Sequence, residues 1–266
     1  MLVTYLIAAL LGVIQGLTEF LPVSSTAHLL IGGEAFGYDD DAFTVMIQLG
    51  SILALMWLYR VKIAAVAVGL PSDPDARRFV LMLLVAFAPA VVAGALLGDF
   101  IQTVLFDSPS IIAAALVAGG AVMLAVERFG PAPRVADAER TPLARAFGVG
   151  LCQVLSLIPG VSRSGATIIG GMVMGLDRAA AAELSFFLAM PTMMAAFVYS
   201  LVDVWDQLAP ERAAEIAVGF VMAFVAAAAV VRPFLRFVAR SGFAPFAWYR
   251  IAAGAALFVA IAGGWL

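Results

Sequence analysis

The sequence predicts an all-α polytopic integral membrane protein, an inverted-topology repeat of six transmembrane spans and two re-entrant helix-turn-helix hairpins. Three observations carry that prediction. Of the 266 residues, 64% are hydrophobic and 12% charged, more apolar surface than a soluble domain of this length needs. The apolar residues gather into runs of about 18 to 21, the length a helix requires to cross a bilayer core of roughly 30 Å. Two polar interruptions, QGLTEFLPVSSTAH from Gln15 and QVLSLIPGVSRSGAT from Gln153, repeat each other at an offset of 138 residues. In that register Gly12, Gln15, Leu17, Val23, Ser24, Ile31, Gly32 and Gly33 each meet an identical residue. Paired interruptions at matching places in two halves point to a site at the repeat interface.

The elements follow in chain order. The N-terminus MLVTYLIAAL has no Lys or Arg, so it lacks the basic region of a signal peptide and reads as a retained helix. Residues 1–33 form the first hairpin: a helix, a break at Pro22 and a second helix after the hydroxyl cluster Ser24–Thr26. Spans at about 43–60, 79–98 and 109–127 complete a first repeat, 1–127. Residues 128–145, with Pro131, Pro133 and mixed charges, are the linker. The second hairpin, 146–176, and spans at about 184–202, 214–232 and 246–265 make the second repeat, 146–266.

Charge supplies an independent check. Loops 60–78, 127–145 and 232–245 hold 11 basic residues, whereas loops 34–42, 99–108 and 203–215 hold one, Arg212. Positive residues stay cytoplasmic, so the first set faces the cytoplasm and the second faces outward. A hairpin that fully crossed would invert this alternation. Each hairpin therefore enters and leaves by one face, the first from outside and the second from the cytoplasm. Three spans per half is an odd number, so the second half is inverted and the two tips meet near the midplane.

Other features narrow the reading. A single cysteine, Cys152, excludes an internal disulfide and a cysteine-rich metal site. No basic tract or aromatic platform for nucleic acid is present. The pairs Gly12/Gly16, Gly94/Gly98 and Gly171/Gly175 let helices approach closely, within one chain or across a homodimer. Pro89 and Pro191 are expected to kink their spans.

The polar residues of the interruptions carry the chemistry. Gln15 and Glu19 are four apart and share one helix face, and a charge at bilayer depth marks function by default. Ser24, Ser25 and Thr26 stand where the second helix starts, as helix-capping residues do. The backbone N–H groups of that turn, with those of Ser162, Arg163, Ser164 and Gly165, form two opposed helix N-termini suited to an anion. Arg163 adds a planar fork that matches phosphate oxygens. Ser24, Thr26, Ser162, Ser164 and Thr167 read as caps and phosphate donors. This set suggests phosphoryl chemistry, in which positioning and charge neutralisation do most of the work. Ser25 is a candidate nucleophile and His28, the single histidine, a candidate general base. Attack by His28 or by water stays open. Glu19 can hold a divalent cation or shuttle a proton. Transport or flipping of a lipid phosphate or another anion is the alternative, because inverted repeats with broken helices also build secondary transporters.

The segment Gln15–Gly–Leu–Thr–Glu19–Phe–Leu–Pro22–Val–Ser24–Ser25–Thr26–Ala–His28 resembles the (Glu/Gln)-x-x-x-Glu motif and serine/histidine box of the bacitracin-resistance type undecaprenyl-diphosphate phosphatases. The segment Pro159–Gly160–Val161–Ser162–Arg163–Ser164–Gly165–Ala166–Thr167 resembles that family's Pro-Gly-x-Ser-Arg-Ser-Gly-x-Thr motif. The resemblance covers the whole chain. It implies an enzyme of the bacterial inner membrane that removes the terminal phosphate of undecaprenyl diphosphate and so recycles the lipid carrier for peptidoglycan. It also implies a site open to the periplasm and a divalent cation, Mg²⁺ or Ca²⁺. Gln15 takes the family's Gln option, so a metal at Glu19 draws no second carboxylate from that position.

Overall fold

A computed structural model describes residues 2–38, 40–100, 108–208 and 210–264. Eleven α-helices are present among them: α1 (Leu2–Thr18), α2 (Ser25–Phe36), α3 (Asp41–Leu58), α4 (Arg60–Gly69), α5 (Pro74–Phe100), α6 (Pro109–Phe129), α7 (Leu143–Val154), α8 (Arg163–Val173), α9 (Arg178–Val204), α10 (Ala213–Ser241) and α11 (Ala244–Ala262). Six of them, α3, α5, α6, α9, α10 and α11, are long and apolar enough to cross a membrane. They correspond to the six expected spans.

The differences from the expected boundaries have local causes. The stretch 60–78, read as a loop, contains α4, which continues from α3 after the single non-helical residue Tyr59 and buries no side chain. α9 begins at Arg178, ahead of the expected 184, because the Asp177 carboxylate accepts from the Ala180 N–H at 2.8 Å and caps it there. α7 begins at Leu143, inside the expected linker. α10 runs past 232 and through Pro233 to Ser241. Loop 99–108 lies mostly outside the described residues.

The core is built around α9. From Ala180 to Ala189 every residue except Glu183 is buried, and Phe186, Phe187 and Leu188 anchor a cluster reaching α3, α5, α7, α8 and α10. α1 packs on α10, and α7 packs on α5. Both contacts rest on glycine. A Cβ at Gly12 would collide with the Gly219 carbonyl of α10, and one at Gly150 would collide with the Ala86 carbonyl of α5. Gly12 and Gly150 are partners in the repeat register, so the same device serves both hairpins. Gly16 likewise sits against Ala223. Gly94 and Gly98 are different, because a Cβ there meets nothing within 4 Å. Gly12→Ala is therefore expected to destabilise by about 1–3 kcal/mol through overpacking. Gly94→Ala should shift stability by no more than about 1 kcal/mol, in the favourable direction of helix propensity. Thermal unfolding of the two purified variants checks the contrast, and equal melting temperatures would refute it.

Ion pairs and hydrogen bonds link the connections into two groups. Lys62 pairs with Glu139, Arg178 pairs with Glu127, and the Phe243 N–H reaches Glu127 at 3.4 Å, which gathers the basic loops together. Arg212 pairs with Asp40 and Glu215 and so joins the other two described loops. The ends of the α7–α8 hairpin lie side by side among the basic loops: Arg145 donates to the Met174 carbonyl at 2.9 Å, and the Arg134 N–H to Gly175 at 2.7 Å.

Candidate active site

α1 stops at Thr18, four residues before Pro22, and the Thr18 hydroxyl bonds back to the Ile14 carbonyl at 2.6 Å. The turn that follows leads to Ser24 at φ +71°, whose Oγ accepts from the Ala27 N–H and caps α2. The second turn leads through Gly160 (φ +90°) to Ser162 at φ +70°, whose Oγ accepts from the Gly165 N–H and caps α8. Among the described residues Ser24 and Ser162 are the only non-glycine residues with positive φ, and they are partners in the repeat register. A serine held there costs about 1–3 kcal/mol, a strain that concentrates at functional sites.

The turns meet at Glu19, which is nine-tenths buried. Its Oε2 accepts from Gln15 Nε2 at 3.0 Å and from Ser25 Oγ at 2.7 Å, while its Oε1 accepts from Arg163 Nη2 at 3.2 Å. In the repeat register Ser25 and Arg163 occupy the same position, so each hairpin sends the first side chain of its second helix to one carboxylate. A further link is the Ser164 hydroxyl, which donates to the Leu21 carbonyl at 2.8 Å. Arg163 also bonds the Ser185 carbonyl at 3.3 Å and lies over the Phe20 ring. Among the described residues its Nε–H is buried without a partner, as is Gln15 Oε1.

The structure does not join His28 to Ser25. The Ser25 hydroxyl goes to Glu19, and the imidazole turns away. His28 Nδ1 donates to the Ser24 carbonyl at 2.7 Å, and Nε2 meets the Tyr249 hydroxyl. From the backbone the Ser24 carbonyl takes a long 3.4 Å bond, donated by the His28 N–H, which leaves it free to hold the ring.

Sequence reasoning missed Arg250. This residue of α11 is 1% exposed. Its guanidinium donates to Pro22 at 3.3 Å in the first turn, and to Gly160 at 3.0 Å and Val161 at 2.9 Å in the second. It also reaches Ala115 at 3.1 Å and Leu116 at 3.5 Å on α6. One cation thus ties both turns to α6 and α11. The available signal was a lone arginine inside an apolar span, which by itself marks a functional candidate.

The profile of the family "Bacitracin resistance protein BacA" matches residues 8–256. The chain is 54% identical over 256 residues to undecaprenyl-diphosphatase 1 of Agrobacterium fabrum, covering 96% of each chain. It is 50% identical over 264 residues to the undecaprenyl-diphosphatase of Cereibacter sphaeroides, covering 98% of each, and 51% identical over 253 residues to that of Phenylobacterium zucineum, covering 94% of this chain and 95% of the relative. The chain belongs to the BacA family. It is a multi-pass membrane protein.

In this BacA-family protein most of the expected phosphate-binding hydroxyls already have protein partners. Ser24 and Ser162 cap their helices, Ser162 and Ser164 touch at 3.1 Å, and Thr167 bonds the Ser185 hydroxyl at 2.7 Å. Thr26 is half-buried in the first turn of α2. Gly165 gives its N–H to the Ser162 cap, and a Cβ there would press on the Arg250 guanidinium at 3.1 Å. Its lack of a side chain makes room for that clamp. Among the described residues no group of three or more His, Cys, Asp or Glu could hold a metal by itself. The oxygen donors present are the Glu19 carboxylate and the orphaned Gln15 Oε1. They fit a hard cation that takes its remaining ligands from phosphate and water, as Mg²⁺ commonly does.

Proposed function

We propose that this protein hydrolyses undecaprenyl diphosphate to undecaprenyl phosphate and inorganic phosphate, as the names of its relatives describe for them, and so returns the lipid carrier to peptidoglycan synthesis. It does so in the bacterial inner membrane, at a site open to the periplasm where two re-entrant hairpins of an inverted repeat meet. The paired positive-φ caps, the paired glycine contacts and the adjacent ends of the α7–α8 hairpin support that architecture. The observation that carries the function is the single carboxylate, Glu19, which gathers a serine hydroxyl from one hairpin and an arginine from the other.

Each residue then has a task. The Arg163 guanidinium, with its unpartnered Nε–H, turns from Glu19 toward phosphate oxygens and neutralises their charge. Ser25 Oγ attacks the terminal phosphorus while Glu19 takes its proton, and the bond to the lipid phosphate breaks with that phosphate as leaving group. Water then releases phosphate from the serine. His28, one turn along α2, receives a proton through Nε2 in that second step, once the Tyr249 hydroxyl has yielded its bond to that nitrogen. Glu19 and Gln15 Oε1 would hold the divalent cation, which would supply charge neutralisation at the phosphates when bound. Transport has no comparable support, since carrying an anion does not call for a hydroxyl bonded to a carboxylate.

Purified protein should release one phosphate per undecaprenyl diphosphate in the presence of Mg²⁺ or Ca²⁺. Absence of release with either cation, or lipid translocation without release, would overturn the reading. Gln15→Glu tests the cation's seat. It replaces the Gln15 donor with a second carboxylate facing Glu19, so without metal the like charges should lower the melting temperature. With metal the loss should reverse, and the half-saturating cation concentration should fall severalfold. A variant whose stability ignores the cation would move the metal elsewhere.

A further inference from the structure

Tyr249 touches the site from the far end of the chain, and nothing above gives it a task. It lies on α11, one residue before the Arg250 clamp, about half exposed. Its hydroxyl meets His28 Nε2, and the two rings stack with centroids 5.5 Å apart and planes 8° apart. The bonding pattern determines where the imidazole proton sits. The Ser24 carbonyl can only accept, so Nδ1 carries the hydrogen. Nε2 in the neutral ring is then a bare lone pair, and the Tyr249 O–H donates to it. A tyrosine serving only as apolar filler would need its ring alone. Here the hydroxyl lands on the one functional nitrogen left open, and Arg250 fixes where it stands by bonding both turns.

We propose that Tyr249 is a positioning residue for the hydrolysis, holding His28 as the neutral Nδ1–H tautomer and fixing the direction in which its Nε2 lone pair points. The imidazole is thereby kept neutral and kept from rotating toward solvent, and it takes a proton from water when the Tyr249 hydroxyl gives up that lone pair. A hydroxyl bonded to the far ring nitrogen fixes ring orientation in the way a carboxylate does behind a ligating histidine.

His28 is the single histidine, so a protein labelled with ¹⁵N-histidine reports this ring alone. Without substrate, the native protein should show a protonated Nδ1 and an unprotonated Nε2 shifted by hydrogen bonding. Tyr249→Phe keeps the stacked ring and removes one oxygen. It should move the Nε2 resonance to its unbonded position, let the ring rotate off the Ser24 carbonyl and so populate the other tautomer, and leave the melting temperature within a few degrees. The kinetic part rests on the hydrolysis proposed above: kcat should fall about tenfold, short of the 10²–10⁴ that removal of a general base costs, with KM within about twofold. An unchanged histidine spectrum in Tyr249→Phe, or a protonated Nε2 in the native protein, would overturn the proposal. So would a Tyr249→Phe that shifts the spectrum yet keeps native kcat. If the native protein released no phosphate while the spectra behaved as expected, the proposed activity would fall and the tautomer assignment would stand.

Discussion

Glu19→Gln is expected to lower kcat for phosphate release by about 10³ or more. The substitution preserves shape and removes charge at the point where three donors converge. An amide has one acceptor oxygen where the carboxylate has two, and it is a poor proton acceptor. Ser25 therefore loses the group that takes its proton, a contribution of about 10²–10⁴ in rate, and Arg163 loses the anion that orients it. Stability should fall with activity, because the Arg163 side chain is only 11% exposed and an unpaired buried cation costs about 3–5 kcal/mol. The two effects separate in a double-mutant cycle. Arg163→Met on the Glu19→Gln background should restore much of the lost melting temperature, since it removes the stranded charge, and should restore no activity. Additive stability changes would mean that the ion pair is a surface ornament. Near-native kcat in Glu19→Gln would remove Glu19 from the mechanism.

What the sequence showed of the fold depended on how many residues carried each signal. A span of about 20 apolar residues is a property of the segment alone, set by bilayer thickness, and all six were legible. The segment 60–69 is apolar too but is too short to cross, so it reads as a loop. It is a helix because the backbone of α3 continues past Tyr59 with little interruption. The start of α9 depended on one carboxylate, Asp177, finding one N–H. The glycines show the same limit. Gly12 and Gly94 belong to identical spacings, yet only Gly12 faces another backbone, because which face meets a partner is decided by tertiary packing.

The site was legible where chemistry is improbable in lipid. A Glu, a His and an Arg flanked by hydroxyls in apolar sequence stand out on desolvation cost alone, and the repeat register placed Ser25 and Arg163 at one position. The pairing within the set was not legible. Ser25 and His28 share a face of α2, which suggested a nucleophile and its base, but the rotamer of His28 is chosen by a backbone carbonyl and by a tyrosine 221 residues away. Backbone acceptors leave no mark in a sequence. Arg250 shows this most sharply, since every partner it has among the described residues is a carbonyl.

Arg250→Met is expected to be the most damaging single substitution outside the catalytic set. Five carbonyls lose a charged donor, and two of the elements they belong to are the turns that carry Glu19 and Arg163. A hydrogen bond to a charged group is worth about 1.5–3 kcal/mol, and a buried acceptor left unpaired costs about 1–3 kcal/mol. These terms do not add fully, yet a loss of at least about 3 kcal/mol follows. Methionine fills part of the volume, which removes a cavity as the explanation. Arg250→Lys is the more informative variant. It keeps the charge as a compact point on a flexible stem, without the planar fork that reaches Pro22 on one side and Gly160 on the other. It should hold one turn and release the other. At a temperature where Arg250→Lys remains folded, kcat should drop about tenfold or more, because the Glu19–Arg163 contact depends on the register between the turns and small misplacements are costly. Hydrogen exchange should quicken at residues 20–25 or at residues 158–164, whichever turn has been freed. If Arg250→Lys matched the native protein in both rate and exchange, the guanidinium would be a buried spectator, and the register of the site would have to come from helix packing alone.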